Sequence, residues 1–91
     1  MVREGDLVAI FNSIHRVMKA EKVLKERRQD ILLIPVPRSL ASDCGLAIRY
    51  AAADHQPVSA VLAEADLLPE QLYRFSDGQF VRMTDTSPFG T

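Results

Sequence analysis

Cysteine is nearly absent from this chain of 91 residues, tryptophan is absent, and glycine occurs four times. The single thiol, Cys44, excludes an internal disulfide and a two-cysteine redox cycle, and it fits a reducing compartment. Net charge is nearly absent too, with 11 Lys and Arg against 12 Asp and Glu. No global basic field exists to hold a nucleic-acid backbone, and no acidic arm exists to recruit a basic partner. No apolar run approaches the 18 or so residues of a membrane span, and no basic-then-apolar leader is visible at the start. The expectation is therefore a cytoplasmic protein without membrane or nucleic-acid partners. His15, Cys44 and His55 lack zinc-ligand spacing, so no metal is expected. The phosphate-binding glycine loops are missing, and no cofactor is expected.

What the chain does have is apolar residues, 47% of the total, enough for the core of one small domain. Residues 6–11 (DLVAIF) form a run of strand length. Asn12 and Ser13 then offer helix N-caps. From Ile14 to Arg28, the residues Ile14, Val17, Met18, Ala20 and Leu24 recur mostly at helical spacing, opposite a cationic side. Ile31–Ile34 is wholly apolar, which predicts a central strand or one covered on both faces, ended by Pro35 and Pro37. Leu46–Ala51 reads as a third strand, with helix as its rival because it is alanine-rich.

Asp54–Leu67 reads as a second helix, with Asp54 or His55 near its N-cap and Pro57 in its first turn. Gln71–Phe75 alternates as a strand, Asp77-Gly78 is a turn, and Gln79–Met83 is a further strand. The order is βαββαβ with an extra C-terminal strand. It predicts a ferredoxin-like α+β sandwich over residues 1–83, two helices on one face of the sheet, and a loose tail over 84–91. If the third strand is helical, the alternative is a βαβ unit with trailing helices.

This topology has a consequence for residues 37–45 (PRSLASDCG), the polar loop that holds the cysteine. The connection between the second and third strands falls at the same end of the sheet as the start of the first helix. In the usual strand order the third strand lies beside the first. Cys44 is therefore expected near Ser13, Ile14 and His15, where free N–H groups and the positive end of the helix dipole favour a thiolate. Arg38 adds positive field, His15 is a candidate partner for the thiol proton, and Ser42 is a candidate donor. Gly45 permits close approach or an unusual φ. Asp43 opposes the effect unless its carboxylate points away. Each residue also has a plainer reading: Cys44 as a small buried hydrophobe, His15 and Arg38 as solvated surface, and Arg49 on the solvent face of its strand.

Three stretches carry a family resemblance: Lys19-Ala20-Glu21-Lys22-Val23-Leu24-Lys25, Leu33-Ile34-Pro35-Val36-Pro37-Arg38 and Ser42-Asp43-Cys44-Gly45-Leu46. Together they resemble the sulfur/selenium carrier-like family of small bacterial proteins, over about residues 6 to 75. Proline, arginine, cysteine and glycine all fall in register. The chain departs from the pattern where Ala41 replaces the first serine of a pair. It also lacks a glycine stop after the first helix, and it extends past residue 76. The resemblance implies a carrier cysteine at Cys44, an anion-friendly loop around Arg38 and Ser42, and a bacterial cytosol.

Two functions of different class remain open. One is a carrier in which Cys44 accepts sulfur or selenium as a persulfide or selenopersulfide from a donor protein and passes it to an acceptor. The other is a non-catalytic regulatory or interaction domain that binds an anionic ligand or a protein through the loop from Arg38 to Gly45. A homodimer formed through the sheet or the C-terminal hairpin is a further expectation.

Overall fold

The structure is a computed structural model, and it describes residues 2–40 and 45–83. The strands are β1 (Leu7–Ile10), β2 (Ile31–Pro35), β3 (Leu46–Tyr50), β4 (Gln71–Ser76) and β5 (Gln79–Arg82). The helices are α1 (Ile14–Glu26) and α2 (His55–Glu64), the latter entered through a short 3-10 turn at Ala52–Asp54. Every strand pairing is antiparallel, in the order β2-β3-β1-β4-β5. This is the ferredoxin-like arrangement with β5 added as a hairpin on the edge. Residues 46–50 are strand, which removes the helical alternative. The expectation of a loose tail concerns residues 84–91, which lie outside the described set.

β1 is buried along its whole length because it is central and has both faces covered. Leu7 and Ala9 face the helices with Val17, Ala20, Leu24, Ile48, Tyr50, Val58 and Leu62. Val8 and Ile10 face the other way with Ile34 and Ala47, and there Val2, Val36, Leu40, Tyr73 and Phe80 pack over them. The sheet thus has a second, smaller core on the face without helices.

Two expectations about burial fail. β2 is an edge strand, with Leu32 46% exposed. Its apolar run reflects one packed face and one partly covered face. The edge position also explains why Pro35 is part of the strand, since a missing N–H is tolerated there. On α1, Val17, Ala20 and Leu24 are buried while Ile14 and Met18 are exposed at 45% and 44%. The stripe that meets the sheet is narrower than the apolar pattern.

Arg49 is also not on an open surface. Its guanidinium lies 3.4 Å from Asp6 Oδ2, and both side chains are largely shielded. The same oxygen accepts the Arg3 N–H at 2.9 Å, and Asp6 N–H donates to Arg3 O. Asp6 thereby reverses the N-terminal segment, and Val2 packs on the second core.

Both helices end in the same way. The Gln29 amide donates to Leu24 O and Arg28 to Lys25 O; Leu67 donates to Leu62 O and Asp66 to Ala63 O. These are paired Schellman closures, in which the residue after the cap takes left-handed backbone. Here it is Arg28 (φ 60) and Asp66 (φ 59), where glycine is the usual occupant. The last turn of α2 is held from α1 at two points. Arg16 donates to Asp66 O at 3.0 Å, and Arg27 meets the Glu64 carboxylate at 2.9 Å. The β4–β5 turn follows its sequence signal: Asp77 and Gly78 both have positive φ, as a tight type I′ turn requires.

At the start of α2, the Tyr50 hydroxyl and His55 Nδ1 are 3.0 Å apart and the rings lie parallel. Burial pushes the Tyr50 hydroxyl far above its ordinary pKa, and burial lowers that of His55. The pair is therefore held neutral.

Two stability outcomes follow. Arg28→Gly relieves left-handed strain and is expected to raise urea stability by about 0.5–1 kcal/mol; an unchanged or lower midpoint would refute the strain assignment. For His55, the unfolded chain binds the proton more readily than the folded one. Its contribution is complete above about pH 6.5 and declines as the pH falls below that value. Thermal midpoints should drop as the pH falls below about 6.5, and this drop should shrink in His55→Gln. An equal drop in both proteins would remove His55 as its source.

Candidate functional site

The segment between β2 and β3 is built on a fixed base. Pro35 pairs with Leu46 at the end of the ladder, and one step further the Val36 amide donates to Gly45 O at 3.1 Å. A β-turn follows, closed by Leu40 N–H to Pro37 O at 2.9 Å, with Arg38 and Ser39 at its tip. Val36 and Leu40 anchor this arm by packing on the second core. Cys44 and Ser42 lie outside the described residues, which resume at Gly45.

Gly45 has φ +81, and a Cβ built on it would meet nothing within 4 Å. Of the two reasons for a glycine here, the positive φ applies and close approach does not. The backbone of Gly45 turns the chain into β3.

The start of β3 and the start of α1 share one end of the sheet, while the neighbourhood expected for Cys44 lies outside the described residues. Ile10 pairs with Ala47, so the end of β1 leading to α1 and the start of β3 at Gly45 leave the sheet at the same end. Ser13 caps α1, its Oγ accepting the Arg16 amide at 3.1 Å. That lone pair is committed to the helix, while the hydroxyl proton remains available to an acceptor. The helix leaves the Ile14 and His15 amides without an intrahelical partner. His15 is exposed in the first turn. Arg38 is exposed and makes no hydrogen bond or ion pair with another described residue.

Arg38 also borders a feature that was not read from the sequence. A cavity of about 400 Å³ opens on the helix-free face beside the loop. Val2, Ile34, Val36, Pro37 and Phe80 contribute to its walls, and Arg38 is the charged residue lining it. The signal for this second core was present in the unbroken apolar run of β1, which requires cover on both faces. What covers the second face comes from segments far apart in sequence. Among the described residues, no helix is long and apolar enough to cross a membrane.

The positive φ at Gly45 has a measurable cost for other residues. Gly45→Ala is expected to lose about 1–2 kcal/mol through the dihedral alone, and Gly45→Asn less, because asparagine tolerates left-handed backbone. Urea titration of both variants checks this, and equal stability of Ala and Gly at this position would refute it.

No curated protein and no solved structure matches the chain. One family does: the model described as "Putative Se/S carrier protein-like" matches residues 6–74. That span runs from Asp6, just before β1, into β4 and includes the whole loop with the only cysteine. With the match covering most of its length, the chain belongs to the Se/S carrier protein-like family.

Proposed function

We propose that this protein is a sulfur or selenium carrier in which Cys44 is both the accepting and the donating group. The observation that carries this reading is that the family match spans the chain's single thiol, set between Ser42 and Gly45. In the accepting step, the Cys44 thiolate attacks the terminal sulfur of a donor's persulfide. The Sγ–S bond forms, the donor's S–S bond breaks, and the donor leaves as a thiolate. In the second step an acceptor nucleophile attacks that terminal sulfur, and Cys44 leaves as a thiolate. No external oxidant or reductant is consumed. Selenium transfers in the same way, with selenium as the terminal atom.

The fixed base of the loop supports this reading. The loop leaves the sheet beside the start of α1, where the Ile14 and His15 amides and the helix dipole favour an anion. Arg38 adds positive charge on the same arm, and the hydroxyls of Ser13 and Ser42 are donors suited to a persulfide anion. His15 is the proposed partner for the thiol proton. A single cysteine also suits the task, because a second one nearby would release the cargo by closing a disulfide. The partners are then a donor protein that presents a persulfide and an acceptor that consumes it.

The test is native intact mass after exposure to a low-molecular-weight persulfide. One added sulfur atom, removable by thiol reductant and absent in a folded Cys44→Ser variant, is the expected result. Alkylation of the native thiol should titrate well below the free-thiol pKa of about 8.5. A thiol that reacts only when the protein unfolds would end the carrier reading.

A further inference from the structure

The helix-free face of a ferredoxin-like sheet is often open, but here the chain folds its own segments over it. The reversed N-terminal segment brings Val2, the arm after β2 brings Val36 and Leu40, and the hairpin brings Phe80. These pieces leave a gap: the cavity of about 400 Å³ between the N-terminal segment, the end of β2 and Phe80. That volume is in the range of small-ligand sites, roughly 300–1000 Å³.

Its chemistry is of two kinds. The walls named above are apolar, with Pro35 and Pro37 adding ring surface without an N–H to satisfy. Water in such a place has few partners and is readily displaced by an apolar group. At the border stands Arg38, whose guanidinium has no anionic partner among the described residues. Its planar fork of donors matches a carboxylate in two parallel hydrogen bonds.

We propose that this groove binds a small amphiphilic carboxylate, its apolar tail along Ile34, Val36 and Phe80 and its head on Arg38. The proposal does not rest on the carrier reading. It gives Arg38, unpaired among the described residues, a ligand that uses the apolar walls as well as the charge. Free sulfate or phosphate would use the charge alone.

Octanoate below its micellar concentration is the probe, followed by calorimetry and by amide shift mapping on the full chain. Saturable one-to-one binding is expected, with the largest shifts at Val2, Ile34, Val36 and Phe80. Octanol should bind much more weakly. Arg38→Gln should weaken octanoate at least about tenfold, the loss expected for one charge-assisted hydrogen-bonding group. Val2→Asp, which sets a carboxylate at the wall of the groove, should weaken it as well. Lys22→Gln on the far side of α1 should not. Cys44→Ser should bind as the wild type does, which separates this site from the carrier chemistry. Equal affinity for octanol, an unaffected Arg38→Gln variant, shifts centred elsewhere, or self-association that fills the groove at working concentration would each overturn the proposal.

Discussion

Every other feature of this domain depends on β1 being dry on both faces. Leu7, Val8, Ala9 and Ile10 are each exposed by 2% or less. A strand of alternating character would have needed only the helix layer. Because Val8 and Ile10 are as apolar as Leu7 and Ala9, the chain needs a second cover, and among the described residues loops and the hairpin supply it. Val2 is brought in by Asp6, Val36 and Leu40 by the arm after β2, and Phe80 by the added hairpin. The cysteine segment is thus rooted in core packing: the arm that leads to it is pinned by buried apolar contacts, and its other end is a strand.

The sequence was informative where signals are local. Ser13 as N-cap, Pro57 in the first turn of α2 and the Asp77-Gly78 turn all act through a few neighbouring backbone groups, and all three stand as read. The strand order followed from the alternation of elements, because short connections leave few ways to close such a sheet. The position of Gly45 at the α1 end of the sheet is a direct consequence of that order.

What stayed hidden was set by partners remote in sequence. Nothing in Ile31–Ile34 shows that β2 is an edge strand. Burial of Ile31 on one face depends on the helix before it, and burial of Ile34 on the other face depends on the arm after it. Ile14 and Met18 have the spacing of core residues, yet they lie outside the stripe of α1 that meets the sheet. Arg49 looks like a solvent-facing cation in a strand until Asp6, more than 40 positions earlier, is found beside it. The groove draws on residues near both ends of the domain and has no linear signature at all.

Charge is distributed in a way that the near-neutral total conceals. Arg16, Lys19, Lys22, Lys25, Arg27 and Arg28 are six of the chain's 11 basic residues, and they fall on α1 and its cap. Two of them have structural work. Arg16 and Arg27 hold the last turn of α2, whose carbonyls and Glu64 carboxylate are the negative end of that helix. Lys25 is paired with Glu21 on the surface, an interaction of small net worth. Lys19, Lys22 and Arg28 then remain as exposed cations on α1 and its cap, and the N-terminus of that helix lies at the end of the sheet where the Gly45 segment begins. A persulfide anion in that segment would sit in the field of α1 twice over, from its dipole at close range and from its lysines at longer range. The second contribution is screened within roughly 8–10 Å at ordinary ionic strength. For an anion held at the start of α1, the dipole and the Ile14 and His15 amides are therefore the larger electrostatic term, and Ser13, which fixes where that helix begins, matters more to such an anion than any single lysine.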